Sequence, residues 1–293
     1  MASSTAFLAF AIFFTVVSLF FVALSFSTDN WLQYTVDRSA LAQSTSSQVI
    51  SEKNRLPWYH SRHRGLFRTC YEGNETTFLE TEPYNSQRID RNCLYLNYDI
   101  PEPDNFNLKS SDYRLRIHLM RCHVGFLITA LFFLLIGCVV GAFGCWKAKA
   151  TTSRYAAVVV FIGAFFTAAG MAFFHGAEYI ERNKVREDNT FPLNWHSDLF
   201  TNTVRSYGWS YILGWVGMAI GAISAILYLI ASWLIKQKLK DEKIPLDTYS
   251  MRSRNRAYDY MDPYANGPGR PPYGYEDPYS KGGDPGTWGW TRY

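Results

Sequence analysis

"FLAFAIFFTVVSLFFVAL", residues 7 to 24, contains no charged side chain. About 18 apolar residues suffice for a helix to cross a hydrocarbon core of roughly 30 Å. No Lys or Arg precedes the run, and it is longer than the usual apolar segment of a secretory leader, so it reads as a retained span. The reading extends outward because three more windows lack charge: His123 to Trp146, Tyr155 to Ala177 and Ser206 to Ile235. Soluble helices interrupt their apolar face with charges, so four uninterrupted runs predict four transmembrane helices, at about 6–27, 122–146, 155–180 and 206–235.

Short-loop charge sets the orientation. "KAKATTSR" (147–154) is basic without an acid, and so is "KQKLK" (236–240). The positive-inside rule places both in the cytoplasm, with both termini. Residues of about 28–121 and 181–205 then face outward. A multi-pass protein of the plasma membrane is the expectation.

The long outer loop carries "RGLFRTCYEGNET" (64–76), where Cys70 stands four residues before the N-glycosylation triplet at Asn74. Both features belong to a lumenal, oxidising compartment. Of the five cysteines, Cys70 and Cys93 alone lie well inside that compartment, which predicts a disulfide between them. A loop this long without structure is uncommon, so it should fold. "NWLQYTV" (30–36), "GLFRTCY" (65–71) and "NCLYLNY" (92–98) read as strands of a small antiparallel sheet, and "TFPLNWHSDLF" (190–200) as a further strand. The polar stretch 39–55 reads as mobile. Charged segments 111–121 and 177–187 read as helical extensions outside the membrane.

Small residues recur at helical spacing inside the spans. Gly137 and Gly141 lie on the second, Gly217 and Gly221 on the fourth, spaced for close helix packing within the bundle or against a partner's helices. Cys145, at the inner boundary, is a candidate for palmitate or a plain core cysteine. Arg121 reads as an interfacial anchor.

Beyond residue 240 the composition turns to Pro, Gly and Tyr, and 241–293 reads as a disordered cytoplasmic tail. It repeats itself in "YDYMDPY" and "YGYEDPY", where Tyr264 and Tyr279 are candidate phosphorylation sites in an acidic context. The terminal Thr291-Arg292-Tyr293 has the form of a PDZ ligand, with Thr291 and Tyr293 as its readable positions.

No catalytic constellation is present. His60 and His63 have metal-like spacing but no third ligand nearby, and His175 and Glu178 read as headgroup-level polar groups. The small net charge of +4 is spread over several loops and gives no case for nucleic acid. The reading is of a non-enzyme without metal, cofactor or small-molecule substrate.

The order Trp31, then Gly65-Leu66-Phe67 and Cys70, then Cys93, in the first outer loop of a four-helix protein resembles the W…GLW…C…C signature of the claudin, peripheral myelin protein and calcium-channel gamma-subunit superfamily. Phe67 stands where the signature has Trp. "STDNWL" (27–32), "GLFRTC" (65–70), "RNCLYL" (91–96) and "SYGWSYILGW" (206–215) look most like the gamma-subunit, stargazin-like branch, over residues 1 to about 240. The resemblance implies a left-handed four-helix bundle bearing an extracellular antiparallel sheet of about five strands, and no enzymatic activity. It implies an auxiliary subunit of a voltage-gated calcium channel or AMPA-type glutamate receptor. The competing implication is a junctional claudin that meets claudin-like proteins in the same membrane and across the intercellular gap.

Overall fold

The computed structural model describes residues 2–73, 76–147, 149–187 and 190–260. Four long helices dominate it: α1 (Ala2–Ser27), α4 (Ser111–Lys147), α5 (Ala150–Asn183) and α7 (Trp209–Tyr260), with short helices α2 (Arg38–Ala42), α3 (Ser47–Glu52) and α6 (Ser197–Thr201) between them. Each long helix contains a stretch apolar and long enough to cross a membrane.

Their surfaces are inverted relative to a soluble bundle. On α1 the large Phe10, Phe13 and Phe20 are mostly exposed while Thr15, Ser18 and Ser25 are buried. Lipid tails solvate phenylalanine well, so the bundle gains nothing by hiding it. Association must come from close packing and interhelical hydrogen bonds. Those bonds are present. Ser18 donates to the carbonyl of Gly217 at 2.7 Å and Ser25 to that of Ser210 at 2.6 Å. Thr15 and Ser224 share a bond of 2.7 Å. Ser153 on α5 donates to Tyr228 of α7 at 2.9 Å.

At one end of the bundle stands a six-stranded antiparallel sheet in the order β4-β5-β3-β2-β1-β6. Its strands are β1 (Leu32–Val36), β2 (Arg62–Arg64), β3 (Arg68–Tyr71), β4 (Arg88–Asp90), β5 (Cys93–Tyr95) and β6 (Thr203–Tyr207). The register aligns Tyr34 with Arg62 and Arg205, and Arg62 with Tyr71, so these side chains share one face.

Several boundaries differ from the sequence reading. Segment 190–200 is not a strand: it forms a 3-10 turn (Pro192–Asn194) and α6, and the extra strand follows at 203–207. The fourth span therefore starts at Trp209 rather than 206, because β1 offers a free edge that captures Thr203–Tyr207. Stretch 39–55 is helical in two pieces, since Leu41 and Val49 bury themselves with Val36, Tyr59 and Leu199 in a small core. The second and third spans reach closer together than the 147–154 loop suggested, with α5 starting at Ala150. The expectation of a structureless 241–293 fails up to Tyr260, where α7 ends. Most of the tail's Pro and Gly come after that point, and 246–260 is made largely of residues a helix tolerates.

Candidate functional site

The signature residues meet where the sheet joins the bundle. Trp31 is 1% exposed and donates its indole N–H to the carbonyl of Ser25 at 2.8 Å. Its ring lies against His123 of α4 and Phe174 of α5, at 4.9 and 5.0 Å between centroids. It closes the top of the bundle as an aromatic plug. Leu66 packs into the same cluster with Leu127 and Met171. Gly65 is required by space, because a Cβ there would stand 2.5 Å from the Cα of Asp29. Phe67 rests edge-on against Phe26 at the end of α1, 5.2 Å between centroids. The tip of the β2–β3 hairpin is thus seated on the first helix.

Cys70 and Cys93 are bonded, facing each other across β3 and β5. Cys122, Cys138 and Cys145 are free thiols. Cys145 is partly buried and packs against the bundle core, the arrangement of a core cysteine. Asn74, Tyr264, Tyr279, Thr291 and Tyr293 lie outside the described residues.

All four glycines singled out by spacing face into this chain's own bundle. A Cβ on Gly137 would meet Val160 at 2.5 Å, on Gly217 Val22 at 2.8 Å, and on Gly221 Ser18 at 2.8 Å. On Gly141 it would overlap the hydroxyl of Tyr228. The alternative assignment of Gly217 and Gly221 to a partner's helices is therefore incorrect: α1 already occupies that groove.

What sequence reading missed is a layer of charge between sheet and helices. Arg64 of β2 donates from Nη1 to both oxygens of Glu181 on α5, at 2.7 and 2.9 Å. Arg116 of α4 donates from Nε to the same carboxylate at 2.7 Å. The three side chains are 13%, 13% and 9% exposed, so three elements distant in sequence converge on one buried ion cluster. Burial is the strongest single influence and acts to lower the Arg64 pKa, but the Glu181 carboxylate together with Tyr34 and Tyr98 raises the value overall. One turn earlier on α5, Glu178 pairs with Arg205 of β6 at 2.5 Å and accepts from the hydroxyl of Tyr207 at 2.9 Å. Arg68 pairs with Asp29. The legible signal was Arg62 and Arg64 at strand spacing and Glu178 and Glu181 at helical spacing; their partners were not legible.

Other candidates resolve separately. His175 shares a hydrogen bond of 3.0 Å with Tyr211, while its helix neighbour Glu178 turns to the sheet, so the two do not form one site. Arg121 is not a free interfacial anchor. It holds the loop before α4, donating to the carbonyls of Tyr98 and Asp99 and to Glu102 at 3.0, 2.5 and 2.6 Å. His60 takes a hydrogen bond at Nδ1 from Arg38 at 2.7 Å and stacks on Phe78 at 4.2 Å. Burial, with Arg38 and Arg62 nearby, holds its pKa down to about 4.

A model of the family described as PMP-22/EMP/MP20/Claudin tight junction matches residues 16–230, from within α1 to within α7, with the whole sheet included. A search of curated proteins gave no match.

Proposed function

We propose, from the premise that this chain belongs to the PMP-22/EMP/MP20/claudin family, that it is a non-enzymatic auxiliary subunit of an ion channel or receptor in the same plasma membrane, with both termini cytoplasmic. Its gamma-like motifs point to a voltage-gated calcium channel or an AMPA-type glutamate receptor as partner.

The observation that carries the reading is the cluster of Arg64, Glu181 and Arg116, which fastens the sheet to α4 and α5. A subunit can shift a channel's equilibrium only by contacting its states unequally. A sheet fixed to two spans transmits a displacement at the sheet into the membrane, whereas a loosely tethered sheet would absorb it. In this reading the sheet senses a moving domain of the partner, and the lipid-facing aromatic surfaces of the spans supply the anchor. The glycan at Asn74, phosphates at Tyr264 and Tyr279, palmitate at Cys145, and a PDZ scaffold held by Thr291 and Tyr293 would be accessory to that role.

One feature favours a second reading, a junctional claudin. Strand β6 is an edge of the sheet, and its Val204 is 68% exposed. An open edge is a place for another chain to pair. Tagged protein expressed in a polarised epithelium decides between the two. Recovery of a pore subunit in mild detergent, without enrichment at cell contacts, is the expected result. Strand-like enrichment at contacts with no pore subunit recovered would replace the first reading with the second.

A further inference from the structure

Among the described residues the charge layer between sheet and helices does not balance. There Arg62, Arg64, Arg116 and Arg205 face two carboxylates, Glu178 and Glu181, and those two are engaged by Arg64, Arg116 and Arg205. Arg62 is left over. It is 8% exposed, and both hydrogen bonds made by its Nη1 go to backbone carbonyls, of Trp58 at 3.0 Å and His60 at 3.2 Å. Its Nη2 and Nε, with the Nη groups of Arg116, have no acceptor among the described residues. A guanidinium has five N–H donors, so these two largely buried side chains retain unused hydrogens.

These donors border a cleft of about 270 Å³. Flat rings wall it: the Arg62 guanidinium lies 4.4 Å from the centroid of Tyr34 and 5.5 Å from that of Trp195, and Trp58 stands beside them. Gln87 and Thr69 also line it, as does Asn97, whose amide is bonded to Asp99 through both its nitrogen and its oxygen and keeps one N–H in hand. Excess buried positive charge is costly without an anion, and a planar fork matches a carboxylate in bidentate fashion.

We infer that this cleft binds the carboxylate of an acidic sugar, of the sialic or uronic class, at the end of a glycan. Guanidinium to carboxylate supplies charge recognition. The aromatic faces supply stacking for the C–H face of a pyranose, and the amides and hydroxyl supply partners for its ring hydroxyls. A simple inorganic anion would use the arginines and leave the rings and amides idle. The inference takes from the functional reading only that the sheet faces the cell exterior; it holds for a channel subunit and a junctional protein alike, so its failure leaves both untouched.

The test uses full-length protein in lipid nanodiscs and saturation-transfer NMR. The probes are the methyl glycosides of N-acetylneuraminic acid and glucuronic acid, their methyl esters, and methyl galactoside. Transfer to at least one acid, lost in its ester and absent for the galactoside, is the expected result. Arg62→Gln should weaken that binding at least tenfold, and Arg62→Lys should restore only part of it because the fork is lost. The Cys70–Cys93 bond and elution as a single species report that each variant is folded. Absence of transfer to either acid in the wild-type protein overturns the inference, as does equal binding by a folded Arg62→Gln variant. Saturation by N-acetyl-aspartyl-tyrosine amide with neither sugar acid bound would reassign the cleft to peptide and overturn it as well.

Discussion

Replacing Glu181 with Gln keeps the shape of the side chain and removes the one negative charge that Arg64 and Arg116 share. Both guanidiniums are largely buried, so neither can recover the lost interaction from bulk water. Breaking a buried ion pair from one side costs about 3–5 kcal/mol. Gln retains an oxygen that can still accept one hydrogen bond, which places the cost near the lower end, about 3 kcal/mol. At 1.4 kcal/mol per tenfold, that is roughly a hundredfold rise in the opening of the sheet from the helices. Hydrogen exchange in a membrane mimetic reads this directly. The amide of Trp31 donates to the carbonyl of Arg64 at 3.0 Å, and its exchange rate should rise by that factor while amides at the centre of α5 stay protected. The triple variant Arg64→Met, Glu181→Leu, Arg116→Met should recover most of the protection, because apolar groups of similar volume remove the desolvation cost with the charges. A rise of less than about threefold for Glu181→Gln would refute the argument that this cluster fastens the two layers.

Three further outcomes follow from the same geometry. Gly65→Ala places a methyl group 2.5 Å from backbone of the α1–β1 corner, which cannot yield as a side chain would; a loss of about 1–3 kcal/mol is expected. Non-reducing gels should show less of the Cys70–Cys93 bond in that variant. Gly217→Leu forces α7 away from Val22 of α1, so the melting temperature of the isolated protein should fall even with no partner present; an unchanged value would return this glycine to a partner interface. His60 is neutral when folded, with a pKa held near 4 against 6.5 for a free imidazole. The unfolded chain binds more protons between those values, so the stability it contributes is present above about pH 6.5 and is lost as pH falls towards 4. Melting at pH 7 and pH 5 should show a smaller drop in His60→Phe than in wild type; parallel drops would exclude His60 as the titrating group.

The four spans were legible because a membrane span needs only length and absence of charge, both properties of a contiguous run. The disulfide was legible from position along the chain: Cys70 and Cys93 lie in the one long loop between spans, away from every apolar run. The glycines were legible as packing positions, but which helix each one meets was not. That depends on rotation about the helix axis, and apolar side chains on every face leave the rotation unmarked in the sequence.

The short elements show the limit more clearly. "TVRSY" (203–207) became a strand because β1 presents a free edge to it, and "SALAQSTSSQVISE" (39–52) became helical because Leu41 and Val49 find Leu199, about 150 residues away along the chain. Arg64, Arg116 and Glu181 each look like ordinary surface charges until β2, α4 and α5 are brought together. By itself the sequence determined the membrane and the number of crossings, because these follow from how each segment partitions between water and lipid. Only the tertiary structure decided which charges are buried, which of them are matched, and where one arginine is left without a carboxylate among the described residues, because those are properties of distances between segments that the chain order does not encode.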